Sequence, residues 1–201
     1  MMMSQPLTLV LASQSPRRKE LLAMAGYPFG TISADIDETF DPNLTPEENV
    51  MEISVRKAEV AMSLHPAPES TVILAADTTV VLDGTPLGKP LDADHAFDML
   101  SKLQGRSHHV LTGFTVLHGD RRTTGYAMTV VRFEPMPDSE IRRYIETMKP
   151  FDKAGSYGIQ DPIMACYVDG IEGCYYNVVG LPVSKVCAAL KPFLQTRSGM
   201  E

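Results

Sequence analysis

Ser13-Gln14-Ser15-Pro16-Arg17-Arg18 closes an apolar run over residues 9–12 and leads into an apolar helical face through Leu21 and Leu22. These residue types suit anion binding. Ser15 can cap a helix, and Pro16 suits its first position, where a missing N–H costs nothing. Arg17 and Arg18 then fall in the first helical turn, beside the positive end of the helix dipole. That placement is unfavourable unless an anion joins them. Backbone N–H groups, serine hydroxyls and guanidinium forks converging on phosphate oxygens would resolve the conflict. The plainer alternative is a solvated turn carrying two ordinary arginines.

Asp77 is the second informative group. It follows the apolar run over residues 71–76, which reads as a strand covered on both faces and ending at Asp77-Thr78-Thr79. A carboxylate at the end of a buried strand often serves as a metal ligand or a general base. A helix cap or turn residue is the other reading, and Thr78 could fill the same place. Asp35, Asp37, Glu38 and Asp41 form an acidic run without the spacing of an EF-hand. It reads most simply as a solvated loop, although Mg²⁺ needs only one or two carboxylates besides phosphates and water. Lys57 and Lys89 are candidate phosphate partners, each alone also an ordinary surface lysine. His108 and His109 alternate across a strand and therefore make a poor metal pair. The chain has no Walker loop, no GxGxxG and no nucleophile elbow.

The elements that must position these groups follow from periodicity and punctuation. A helix is expected over residues 16–25, with Gly26 as its stop, then a strand over 29–33. Thr45-Pro46-Glu47-Glu48 combines a capping box with proline at the first position and starts a helix reaching residue 64. Met51, Val55, Ala58 and Met62 form its apolar stripe, with Lys57 beside that stripe. Residues 65–70 read as a linker. Val80-Val81-Leu82 leads into an Asp83-Gly84 hairpin turn. Asp92 caps a helix to residue 103. Strands over 107–117 and 123–133 pair through residues 118–120, and a short helix covers 139–147. Residues 151–162 read as a loop, 164–179 as a hairpin, 182–193 as a closing helix and 195–201 as a flexible tail. The fold class is α/β, a mixed β-sheet flanked by helices, organised as one domain over residues 1–194.

The totals narrow the function classes. At 201 residues the chain has ample core for one domain or two small lobes. A net charge of -7 argues against sequence-independent nucleic-acid binding, which needs a broad basic surface. Three cysteines without CxxC spacing read as reduced thiols. No stretch is long enough to span a membrane, and the apolar N-terminal run lacks the basic flank of a signal peptide. The expected location is cytoplasmic.

At these same residues the chain resembles the Maf family of nucleoside triphosphate pyrophosphatases. The marks are Leu-Ala-Ser-Gln-Ser-Pro-Arg-Arg (11–18), Ile-Asp-Glu (36–38), Arg-Lys-Ala (56–58) and Ala-Ala-Asp-Thr (75–78). Gly-Lys-Pro (88–90), Leu-Thr-Gly (111–113), Asp-Lys-Ala-Gly-Ser-Tyr-Gly-Ile-Gln (152–160) and Asn-Val-Val-Gly-Leu-Pro (177–182) follow in order. The resemblance implies an elongated fold with a cleft between two lobes and hydrolysis between the α and β phosphates of a nucleoside triphosphate. It implies a divalent cation, Mg²⁺ or Mn²⁺, near Glu38 and Asp77, with Asp77 also the proton acceptor. Ser13, Arg17, Arg18, Lys57 and Lys89 match phosphate-pocket positions, and Arg17, Thr78 and Gln160 match positions tied to base selection. The segment over 153–160 is similar to the branch acting on dTTP and UTP. Asp161 departs from it, since that branch commonly has glycine there. The expected partner is therefore the nucleotide, with no nucleic acid and no membrane, and a homodimer left open. A nucleotide-binding regulator of cell division with incidental hydrolysis is the alternative.

Overall fold

The computed structural model describes residues 7–194; the expected tail over 195–201 lies outside them. The chain divides into two compact units. The first takes in the chain up to Asp77, Gly113–Tyr126 and the chain from Gly180; the second comprises Thr78–Thr112 and Ala127–Val179. A seven-stranded mixed sheet has the order β2-β1-β3-β5-β6-β7, with β4 paired to β3. The α/β class expected from the sequence is the one observed.

In the first unit, β1 (Thr8–Ala12) lies between β2 (Phe29–Ile32) and β3 (Thr71–Leu82), parallel to both. Parallel strands need crossovers, and α1 (Pro16–Met24) and α2 (Pro46–Leu64) supply them. Both halves of the Thr45/Glu48 capping box are formed. The buried residues of α2 are Asn49, Val50, Ile53, Ser54, Val55, Lys57, Ala58 and Ala61, whereas Met51 and Met62 are only half-buried. Val55 and Ala58 of the expected stripe are thus buried, Met51 and Met62 stand at its margin, and Lys57 lies on the buried face itself. Ala58 and Ala61 pack on Val10, Ala12, Ile73 and Ala75. Small side chains at this contact bring the helix close to the sheet. Gly113 of β5 (Ser107–His118) shows how close: a Cβ there would overlap the Val50 backbone carbonyl.

β3 is a continuous twelve-residue strand, so Asp77 sits in its middle and not at its end. Thr78, Thr79, Val80 and Val81 are all good strand formers, and they carry the strand past a charge that looks like a terminator. Asp83 and Gly84, with φ of 51° and 78°, then make the expected tight turn into β4 (Thr85–Leu87).

The second unit's core gathers α3 (Ala93–Leu103), α4 (Asp138–Met148) and inward residues of β3, β5 and β6 (Arg121–Phe133) around Leu100, Val131, Ile141 and Tyr144. The hairpin expected over 164–179 is absent. A short 3₁₀ turn, β7 (Val168–Glu172) and α5 (Tyr175–Val179) replace it, with β7 antiparallel to β6. The second arm fails as a strand because Asn177 turns inward, donating to the Val110 carbonyl and the Thr129 hydroxyl, both at 3.0 Å. α6 (Val183–Leu194) closes the described chain. Among the described residues no helix is long and apolar enough to cross a membrane.

His108 is buried in this second core, edge-on to Phe133 and Tyr157, with Nε2 2.7 Å from the Tyr157 hydroxyl. Its exposed neighbour His109 faces the other way, as alternation requires. Burial, and secondarily the charge of His109, pushes the His108 pKa down to about 4.

Two outcomes follow from this packing. Gly113→Ala is expected to destabilise the protein by about 3 kcal/mol, read as a lowered urea midpoint, because backbone and not a flexible tip stands in the way. His108 refuses a proton in the folded state that the unfolded chain accepts below its ordinary value of 6.5. Stability should therefore fall from pH 6.5 towards pH 4, by about 3 kcal/mol at the lower end. A His108→Gln variant should show a flatter pH profile; an identical slope would remove His108 as its source.

Candidate active site

β1 and β3 run in parallel register with Ala12 beside Ala75. β1 stops there while β3 continues. The loop over residues 13–15 and the head of α1 therefore open at the level of Ala76 and Asp77. Ile73, Ala75 and Asp77 share one face of β3, by the two-residue alternation of a strand. That face is covered by α2, so Asp77 meets Lys57 one step beyond the alanine contacts.

The Lys57 ammonium lies 2.7 Å from Asp77 Oδ1 and 2.7 Å from Glu38 Oε1. The Lys57 and Asp77 side chains are only 9 % and 10 % exposed, that of Glu38 43 %. One buried cation thus gathers one buried and one half-exposed carboxylate. The acidic loop that brings Glu38 is strapped to the same helix. Arg56 donates to the Asp37 carbonyl at 2.8 Å, and the Asn49 amide both accepts from Asp41 N and donates to the Asp41 carbonyl. Asp37 and Asp41 use their carboxylates locally, on Thr39 and on Asn43. Those bonds hold both below the usual carboxylate range, Asp37 through the Thr39 hydroxyl first and Asp41 through the Asn43 backbone N–H first. Glu38 alone of these three turns towards Lys57.

Ser15 caps α1 as expected, its hydroxyl facing Arg18 N, and no acid occupies the first turn. The Ser13 hydroxyl accepts from Ser15 N at 3.2 Å and lies 3.5 Å from an Arg18 nitrogen. Arg18 Nε donates to the Gly180 carbonyl at 2.8 Å. Gly180 has φ of 124°, where a side chain would be strained, so glycine is required for that carbonyl to be presented. Desolvation lowers the Arg18 pKa from its ordinary value, Asp77 and Glu38 oppose the shift, and Arg17 adds to it. Arg18 therefore senses both carboxylates and the neighbouring cation. Ser13, Arg17, Arg18, Glu38, Lys57 and Asp77 share one neighbourhood of the first unit.

Thr78, Lys89 and Gln160 belong to the second unit. The Thr78 hydroxyl lies 2.9 Å from that of Thr112, which donates to the Asn177 carbonyl. Lys89 is exposed between β4 and α3. The Gly88 carbonyl before it accepts from Gly155 N at 3.0 Å, tying this loop to the segment that carries Gln160. A Cβ at Gly155 would come 2.7 Å from a Val80 methyl.

Sequence reasoning assigns no role to Arg56, Asn49 or Gly180. Arg56 and Gly180 stand inside the stretches 56–58 and 177–182, and a glycine before Leu-Pro is the signal that could have found the second. Cys166, Cys174 and Cys187 are free thiols. Among the described residues no three His, Cys, Asp or Glu side chains cluster as a metal site. Two carboxylates drawn onto one cation nonetheless fit Mg²⁺, which takes its remaining ligands from phosphates and water.

The family pattern described as "Maf-like protein" matches residues 8–193. The chain belongs to the Maf family. A Chlorobaculum tepidum protein named dTTP/UTP pyrophosphatase is 70 % identical over 92 % of this chain and 94 % of its own length. Relatives of the same name from Chlorobaculum parvum and Bacillus pumilus are 68 % and 46 % identical, each over 92 % of this chain and over 93 % and 96 % of their own. The Staphylococcus aureus Ham1 protein superposes with a TM-score of 0.43 at 15 % identity, over 63 % of this chain and 71 % of that one, too loosely to argue from. Within the matched span, the stretches 11–18, 36–38, 56–58 and 75–78 carry Arg18, Glu38, Lys57 and Asp77 of the cation–carboxylate cluster.

Removing the shared cation tests the electrostatics. Lys57→Met leaves a buried carboxylate uncompensated and is expected to cost about 3 kcal/mol of unfolding free energy. Adding Asp77→Asn should return part of that loss, and strict additivity of the two variants in urea titrations would show that the pair is not coupled.

Proposed function

We propose that this chain hydrolyses nucleoside triphosphates, dTTP and UTP preferred, to a nucleoside monophosphate and pyrophosphate. The observation that carries the reading is Lys57 shared between Asp77 and Glu38 within the electrostatic reach of Arg18. Relatives 70 % and 68 % identical carry the name dTTP/UTP pyrophosphatase, which supports the same substrates here.

A triphosphate tail is polyanionic, and its transfer chemistry depends on positioning and charge stabilisation more than on covalent catalysis. Arg17, Arg18 and Ser13 receive phosphate oxygens at the head of α1, with Arg18 already aimed by Gly180. Lys57 takes a phosphate oxygen while keeping its grip on Asp77 Oδ1. Asp77 accepts a proton from the attacking water. The water oxygen bonds to the α phosphorus, the bridging P–O bond breaks, and its electron pair leaves with pyrophosphate. Glu38 and Asp77 would hold the divalent cation, which when bound supplies neutralising charge and a more acidic water. Lys89 supplies a further phosphate contact, and Arg17, Thr78 and Gln160 select the base. A site that hydrogen-bonds a base rejects others strongly, because mismatched polar groups are left unpaired.

Asp77→Asn keeps the shape and removes the base. With Mg²⁺ present, pyrophosphate release from dTTP and UTP should fall by about 10³-fold, within the range expected for a lost general base. Turnover near that of the native protein would take the role from Asp77. Orthophosphate as the first product would overturn cleavage at the α–β bridge.

A further inference from the structure

Gln160 sits at the tip of a turn that the second unit fastens at both ends. Asp161 N donates to the Gly158 carbonyl at 3.0 Å, closing a four-residue turn with Ile159 and Gln160 in the middle. The residues around the tip are buried: Gly155, Ser156, Tyr157, Gly158 and Asp161. Gln160 is exposed. The Tyr144 hydroxyl, fully buried on α4, touches both ends of the turn. It accepts from Gly158 N at 3.0 Å and donates to Asp161 Oδ2 at 2.6 Å. Lys153 Nζ stands 3.8 Å from the same carboxylate oxygen. A Cβ on Gly158 would approach Asp161 Oδ2 to 2.8 Å, so glycine is what leaves room for the inward carboxylate.

Burying a carboxylate and a phenol to fasten a surface turn adds little stability, since apolar packing of similar volume is commonly as stable or more so. What the arrangement does supply is direction. A hydroxyl that donates to one end of the turn and accepts from the other leaves its middle residues one backbone setting. We propose that Tyr144 and Asp161 are a positioning pair that sets pyrimidine selectivity by fixing the turn that presents the Gln160 amide to the base. The inference rests on the reading of Gln160 as a base contact. It gives Asp161 a role: the turn is held by a side chain from within it.

The test measures pyrophosphate release from dTTP, UTP and GTP by the full chain and by Tyr144→Phe, Asp161→Ala and Asp161→Asn, with thermal unfolding of each. Tyr144→Phe loses both bonds. Its KM for dTTP and UTP should rise about 10-fold with kcat within about twofold, and its preference for UTP over GTP should shrink by a similar factor. Asp161→Ala should reproduce this from the other end of the turn, which keeps the question answerable if Tyr144→Phe folds poorly. Asp161→Asn still accepts from Tyr144 and should keep native selectivity. Native selectivity in a folded Tyr144→Phe or Asp161→Ala would overturn the role of the pair. A native protein that releases pyrophosphate from no nucleotide would instead overturn the activity on which the inference rests.

Discussion

An ammonium taken out of water must meet negative charge, and Lys57 meets two carboxylates at once. Much of the first unit can be understood as arranging that encounter. The alanine face of α2 lowers the helix onto β1 and β3, which brings Lys57 within reach of a strand-centre aspartate. Arg56 and Asn49, from the same helix, hold the acidic loop so that Glu38 arrives from the other side. Close approach in turn excludes any side chain at Gly113. Packing and electrostatics are therefore not separable here: the ion pair needs the tight helix–sheet contact, and the contact would be needlessly tight without it.

Several stretches that mark the family turn out to be joints more than chemistry. Gly113 admits α2. Asn177 and Thr112 tie α5 to the strands beneath it, and through Thr112 to the Thr78 hydroxyl. Gly180 offers its carbonyl to Arg18. The Asn177 amide N–H groups, the Thr112 hydroxyl and the Gly180 carbonyl each find their partner on a residue distant in sequence. Their role is to hold neighbouring side chains and elements at fixed angles.

Elements with local signals are legible in the amino-acid order alone. The Thr45 capping box, the Ser15-Pro16 start, the Asp92 cap and the Asp83-Gly84 turn all depend on neighbours within four residues, and all stand where expected. Asp77, Lys57 and Glu38 can be picked out as chemical types, and Arg18 by its awkward position at a helix start. What cannot be read is geometry set at a distance. Nothing near Asp77 says that β3 runs on, because a charge between an apolar run and two threonines looks like an ending. Nothing near Asn177 says that it will turn inward and make a helix of an apparent strand. The buried face of α2 departs from the expected stripe because Met51 and Met62 are apolar yet flexible enough to lie at its margin. The partnership of Tyr144 with Asp161 spans two elements whose sequences are individually bland.

The lysine between the two acids has one more implication. It acts as a built-in counterion, so the chain's own charge draws the two acids together. The placement of Asp77 beside Glu38 is thus a property of the scaffold itself, which separates architecture from occupancy in this fold.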